Sequence, residues 1–167
     1  MFQVLDNALG NTEIKEFLRN DKKFDVVVVT ISFLGEAGYY IARKFDASLA
    51  IYFSGQRSHP WVDHALGQPH NPSYLPNMFM LLGNEMTFTE RLINFVLTLL
   101  HYAIRDYYLL GKSDELLDKH FPNDQRPSLL EIEKNATVAF GFTHPHILDG
   151  WRPTVPNYVD IGMMSCR

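Results

Sequence analysis

The run Asp25-Val26-Val27-Val28-Val29-Thr30 decides the fold class of this chain. Four consecutive β-branched residues without polar alternation read as a strand covered on both faces, the pattern of a parallel sheet. Upstream, Asn11 to Asn20 has helical spacing: Ile14, Phe17 and Leu18 share a face, while Glu13, Lys15, Glu16 and Arg19 point elsewhere. Downstream, Gly35 to Phe45 reads as a helix with Ala37, Tyr40, Ile41 and Phe45 inward, and Ser48 to Ser54 follows at once as a second strand. Strand, helix and strand with short connections make a βαβ unit with a right-handed crossover.

Further along, Gly55 to Leu75 is rich in Gly, Pro, His, Asn and Ser and reads as a loop too long for a simple connector, hence functional or packed over the sheet edge. Thr87 or Thr89 starts a long helix to about Leu110. Its stripe of Phe88, Leu92, Phe95, Val96, Leu99 and Tyr102 is read as core, with Arg91, Arg105 and Asp106 mostly off it. Lys112 to Phe121 reads as another helix with Asp114 as N-cap. Pro122 to Arg126 reads as a turn, and Ser128 to Lys134 as a short helix in which Ser128 and Glu131 form a capping box. Strands are expected at Thr137 to Thr143 and Tyr158 to Gly162. The fold class is therefore α/β, a parallel Rossmann-like sheet with flanking helices. The first helix has no strand before it and the last strand stands beside Gly162, so the sheet is expected to show open edges or uncovered faces and to be part of a larger α/β enzyme.

Composition narrows the function classes. A hydrophobic content of 46% over 167 residues specifies a packed domain. A formal charge of −4, with Lys and Arg scattered, gives no basic surface for nucleic acid. Cys166 is the only cysteine, which excludes an internal disulfide. No apolar run is long enough to cross a bilayer, and the residues from Met1 to Asp6 lack a signal-peptide pattern. Asn135-Ala136-Thr137 is a glycosylation sequon, whereas Asn71-Pro72-Ser73 is blocked by its proline.

Metal chemistry finds little support. His59 and His64 miss the i, i+4 spacing of a helical metal pair, and no Cys or Glu-x-x-His pattern accompanies them. His144-Pro145-His146 falls at the carboxyl end of the third strand, where ligands of open α/β sheets bind. Gly55-Gln56-Arg57-Ser58 and Gly35-Glu36-Ala37-Gly38 are glycine turns without a dinucleotide fingerprint or P-loop, and no Gly-x-Ser-x-Gly elbow is present. Thr30, Ser32, Ser54 and Thr143 are strand-end hydroxyls that either face a ligand or cap the next turn. Glu36 is read as supporting the N-terminus of its own helix.

Several blocks in order carry a family resemblance: Phe24 to Val29, Phe45 to Ile51, Trp61-Val62, Gly67-Gln68-Pro69-His70-Asn71-Pro72-Ser73-Tyr74-Leu75-Pro76, Met86-Thr87-Phe88-Thr89-Glu90-Arg91-Leu92-Ile93-Asn94, and Arg152 to Met164. Together they resemble the UDP-glycosyltransferases of animals, the UDP-glucuronosyltransferase and UDP-glucosyltransferase family, and most of all insect members. The resemblance implies a GT-B enzyme with two Rossmann-like domains, of which residues 1–167 form the later part of the N-terminal, acceptor-binding one. It implies an inverting transferase: a histidine base, oriented by an acidic residue, deprotonates an acceptor hydroxyl that attacks the anomeric carbon of a UDP-sugar.

Carried over residue by residue, the pattern leaves gaps. The base histidine belongs upstream of Met1, and the donor signature and C-terminal membrane helix belong beyond Arg167. Thr30 occupies the acidic position, and Gly162-Met163-Met164 replaces Gly-Gly-Met. Acceptor contacts are expected from Ser32, Ser54, Gln56, Trp61, Tyr74, Thr143 and His144, with Phe79 adding apolar surface. No metal and no resident cofactor are expected, the UDP-sugar being a co-substrate held mainly by the other domain. The implied partners are a small lipophilic acceptor, the UDP-sugar and a homo- or hetero-oligomer. The implied location is the luminal side of the endoplasmic reticulum membrane, for detoxification chemistry. Two rivals stand beside this: a non-catalytic homologue that binds a lipophilic ligand or a partner, and an unrelated small α/β binding protein.

Overall fold

The valine run does form a strand, and it opens a parallel sheet. A computed structural model of the chain describes residues 2–20, 22–31, 35–53, 59–77, 79–80, 85–141 and 154–161. β1 (Val26–Thr30), β2 (Ser48–Phe53), β3 (Val138–Gly141) and β4 (Tyr158–Asp160) lie side by side in chain order, every neighbouring pair parallel. Before the sheet come α1 (Phe2–Gly10) and α2 (Thr12–Arg19). A 3₁₀ turn at Gly35–Gly38 leads into α3 (Tyr39–Lys44), and α4 (Pro60–Leu66) follows β2. α5 (Phe88–Ala103), a π-helical stretch at Ile104–Leu110 and α6 (Gly111–His120) run on without a break, and α7 (Leu129–Lys134) precedes β3.

The register sorts the sheet into two unlike faces. Val29, Ile51, Ala139 and Tyr158 stand in one row across all four strands, and all are buried in the main core with Tyr39, Tyr40, Leu117 and Leu129. A Cβ on Gly38 would stand 3.0 Å from Val29 Cγ1, so the turn before α3 approaches β1 as closely as a glycine allows. The opposite face carries Val26 and Val28, which are 54% and 59% exposed. The expectation that β1 is covered on both faces is thus corrected for the described residues. A β-branched run reports strand preference, and it does not report how many faces find a partner.

Several expected boundaries hold for identifiable reasons. Thr87 caps α5 in a full capping box with Glu90, and Ser128 with Glu131 does the same for α7. Other expectations are corrected. α1 was not foreseen; Asp6 ties it to Lys119 and His120 of α6 at 2.8 and 2.7 Å. The expected loop at 55–75 contains α4, started by Pro60 at its first turn and stopped by Gly67 at φ 71°. Asp114 is not the N-cap of α6, because α6 continues the rod from Gly111. Its carboxylate instead accepts from Arg126 and from the Leu129 N–H at 3.3 Å, fastening the turn at 122–127 to α6.

The largest correction concerns α5. Phe88, Leu92, Phe95, Val96 and Leu99, read as core, are all exposed, while Asn94 and Thr98 are buried. Tyr102 is half-buried, with its hydroxyl donating to Pro60 O at 2.6 Å. The helix is held to the body by its polar line.

Candidate functional site

Parallel strands deliver their following loops to one edge, and here the chain after β1 and after β2 brings Glu36, Tyr39, His59 and Trp61 to the carboxyl end of the sheet. The α5 rod backs this edge with His101 and Arg105. Trp61 is the centre of an aromatic chain. His59 lies 4.6 Å from it in a tilted stack, His101 meets it edge-on at 4.8 Å, and Phe79 continues from His101 at 4.9 Å to the surface. The Arg105 guanidinium carbon stands 5.2 Å from the Trp61 ring centroid, a cation–π contact.

Behind the rings lies a buried charge network. Arg105 donates to Glu133 Oε1 at 2.6 Å and to Asp106 Oδ1 at 3.0 Å, and its Nε faces Glu36 Oε1 at 3.9 Å. Tyr39 donates to the same Glu133 oxygen at 3.2 Å. Burial pushes Glu133 up to about 7, and Arg105 pulls the other way without overcoming it. Burial likewise raises Glu36 and carries Tyr39 well above the usual phenol range. His59 is pushed down to about 4 by burial, then by the nearby His101 and Arg105. His101 moves down for the same two reasons, burial and Arg105. At neutral pH the edge therefore presents a neutral His59 imidazole beside an indole, with the Arg105 cation held by Glu133 and Asp106 behind it. Such a wall suits a mostly apolar ligand with one polar group.

A second network fixes the loop that carries Tyr74 and Phe79. Asn94 Nδ2 donates to Pro72 O at 2.6 Å and Leu75 O at 2.8 Å, and its Oδ1 accepts the Asn77 N–H at 2.6 Å. Asn77 in turn donates to Thr98 Oγ1 at 3.3 Å and receives the Phe79 N–H at 3.1 Å. The last residue of the Met86-to-Asn94 block thus closes the Asn71-Pro72-Ser73-Tyr74 block. That is why α5 turns polar groups inward: the loop at 72–77 offers buried backbone groups that only an amide of this reach satisfies together. Nearby, the buried Asp63 carboxylate accepts from Gln68 Nε2 at 2.8 Å and pairs with His70 Nδ1 at 2.9 Å, bracing the end of α4.

Of the residues singled out from sequence, Trp61 is in this cluster and buried. Tyr74 lies on the Asn94-held loop at the surface. Thr30 ends β1, exposed on the open sheet face in the row of Tyr52, Phe140 and Val159. Asn135 is exposed just after α7, its Nδ2 donating to Glu131 O at 2.8 Å. Ser32, Ser54, Gln56, Thr143 and His144 lie outside the described residues. Sequence reasoning missed Arg105, Glu133, His101 and Asn77. The available signal was the spacing of Asn94, Thr98, His101 and Arg105, which repeats at i, i+4, i+7 and i+11 and lines one face of a helix. The π-helical stretch that begins at Ile104 is also a form that collects at functional sites. Among the described residues, no three His, Cys, Asp or Glu side chains are grouped to hold a metal ion.

Residues 1–167 match the family described as UDP-glucoronosyl and UDP-glucosyl transferase. The chain belongs to that family. It is 32% identical over 142 residues to UDP-glucosyltransferase 2 of Dactylopius coccus, covering 85% of this chain and 27% of that protein. It is 27% identical over 181 residues to mouse UDP-glucuronosyltransferase 1A6, covering 99% of this chain and 30% of that protein. Bovine UDP-glucuronosyltransferase 3A1 is 32% identical over 162 residues, 96% of this chain and 29% of its own length. The chain thus spans less than a third of these UDP-glycosyltransferase relatives. No solved structure gives a significant match. No described helix is long and apolar enough to cross a membrane.

Proposed function

We propose that this chain forms the acceptor side of an inverting UDP-glycosyltransferase, which moves a hexosyl group from a UDP-sugar to a hydroxyl of a small lipophilic acceptor. The observation that carries the reading is the aromatic chain His59–Trp61–His101–Phe79 at the carboxyl edge of the sheet, in a member of this family. Stacked rings with neutral imidazoles favour a flat, weakly polar acceptor over a charged one. Trp61 anchors that wall, and Tyr74 and the edge hydroxyls and side chains of Ser32, Ser54, Gln56, Thr143 and His144 complete the acceptor surface. The donor sugar is a co-substrate held by the other half of the enzyme, and the intact protein works on the luminal side of the endoplasmic reticulum.

Thr30 favours a second reading. A threonine accepts a hydrogen bond from an imidazole but carries no charge to stabilise imidazolium, so a chain with Thr30 at the acidic position suits ligand or partner binding without turnover. One set of assays separates the two. Alone, the chain incubated with UDP-glucose or UDP-glucuronic acid and 1-naphthol gives no glycoside. Exchanged for the matching segment of the Dactylopius coccus UDP-glucosyltransferase 2, it gives transfer to 1-naphthol, and Thr30→Asp in that chimera raises the rate by about ten-fold or more. Absence of transfer from both chimeras, with 1-naphthol still quenching tryptophan fluorescence saturably, sinks the transferase reading and leaves the binding one.

A further inference from the structure

The polar atoms of the aromatic wall point to one kind of ligand group, and Asn77 is what fixes their sense. The Phe79 N–H can only donate, so the Asn77 side-chain atom that meets it at 3.1 Å is the carbonyl oxygen. The Asn77 amide nitrogen therefore faces Thr98 Oγ1 at 3.3 Å and His101 Nδ1 at 3.5 Å. A ring nitrogen that faces an amide N–H has to accept, so His101 is neutral and carries its hydrogen on Nε2. Burial, and then Arg105, disfavour a second proton on this ring and so act in the same direction. His101 Nε2–H makes no hydrogen bond among the described residues. Trp61, edge-on to His101 at 4.8 Å, holds a second free donor. Its Nε1–H can only donate, and it is buried without a hydrogen-bond partner among the described residues. Such an orphaned group is rare and costly, which is why it points to a ligand.

We propose that these two donors receive the carbonyl oxygen of a neutral aryl ketone, whose ring lies against the indole of Trp61. A carbonyl oxygen has two lone pairs and no hydrogen, which makes it the complement of two N–H groups. A phenol or amine hydrogen finds no acceptor in Trp61 Nε1–H or His101 Nε2–H. A carboxylate is disfavoured for a different reason. It would bring its charge to a buried place where Glu133, Asp106 and Glu36 already surround the Arg105 guanidinium. The rings supply the rest of the contact, since flat aromatic ligands stack or meet edge-on with indole and imidazole. Because the indole N–H is shut off from water, a ligand has to displace a side chain to reach it. Phe79 is placed to move: it is 60% exposed, and His101 is its only ring contact among the described residues. This binding rests on the reading of the wall as the acceptor side and narrows its ligands, but it needs no sugar transfer.

The test compares binding of 1-tetralone with binding of tetralin, the same bicycle without its oxygen, to the 167-residue chain at neutral pH. Neither probe has a hydroxyl and no UDP-sugar is present, so the result is independent of transfer. 1-Tetralone is expected to bind about ten-fold or more tighter than tetralin. It is also expected to move the Trp61 Nε1–H resonance downfield, with Trp151→Phe identifying the peak. Trp61→Phe and His101→Phe keep an aromatic ring and are each expected to cut the preference to about three-fold or less. Where a variant does not fold, the resonance of the parent chain decides. The proposal is overturned by equal affinities for the two probes, by failure of both to bind, or by an indole resonance that stays in place while 1-tetralone binds. It is equally overturned by a folded variant with undiminished preference, or by 1-naphthoic acid binding tighter than 1-tetralone, which assigns the wall to anions. If the preference is absent while the chimera still transfers sugar to 1-naphthol, the carbonyl is lost and the acceptor reading stands.

Discussion

The two sides of α5 reverse the usual order of a surface helix. Asn94, Thr98 and His101 face the body, and Leu92, Phe95, Val96 and Leu99 face away. The inner side is stable because each polar group meets a partner at hydrogen-bond distance, with the amide of Asn94 serving three backbone groups at once. The outer side contributes little to folding, because its side chains are still in water. The contrast teaches that burial follows what the neighbouring surface offers. Here the neighbour is a loop of backbone carbonyls and amides, and a leucine facing it would leave them unpaired at about 1–3 kcal/mol each.

The strongest way to break the comparison is to remove the inner charge. Arg105→Met leaves Glu133 buried without its cation and is expected to destabilise the chain by about 3–5 kcal/mol in urea unfolding, with Glu133→Gln in the same chain restoring part of it. A loss below about 1 kcal/mol would mean that water already reaches Glu133. Next is Asn94→Ala, expected to cost about 2–3 kcal/mol through the orphaned Pro72, Leu75 and Asn77 groups. Its hydrogen exchange should quicken at Asn77 and Phe79 before the sheet opens.

Smaller, and opposite in sign, are two pH effects. Glu133 is raised from 4.5 to about 7, so the folded state holds the extra proton and stability falls as pH rises across that window. His59 is lowered from 6.5 to about 4, so its contribution is present above 6.5 and is lost as pH falls toward 4. The two slopes oppose each other in the parent chain. His59→Phe should leave stability falling from pH 4.5 to 7, and Glu133→Gln should leave it rising from 4 to 6.5. Matching slopes in the two variants would refute both assignments. The smallest effect sharpens the outer side: Leu99→Ser should change stability by no more than about 0.5 kcal/mol.

Part of this was legible beforehand. Val26 to Thr30, the following helix and Ser48 to Phe53 declared a parallel α/β sheet, because β-branched runs and short crossovers have few other folded outcomes. The capping boxes at Thr87 and Ser128 were legible because their partners are three residues away and need no tertiary context. The site was less so. Trp61 was named, but its neighbours His101, Arg105 and Glu133 come from elements 40 to 72 residues further on, and no local pattern links them. α1 escaped notice because what holds it, Asp6 against Lys119 and His120, is equally remote.

By itself, then, the sequence determined the four strands, the helices other than α1 and α4, the parallel sheet and the family, since each rests on local periodicity, local capping or ordered motif blocks. Only the tertiary structure decided which way α5 faces and which face of the sheet is covered. A helical or alternating pattern is unchanged when an element turns over, so its orientation is set by the groups it meets. For α5 those are the backbone groups between Pro72 and Asn77 and the carboxylate of Glu133, and they call for an amide and a guanidinium.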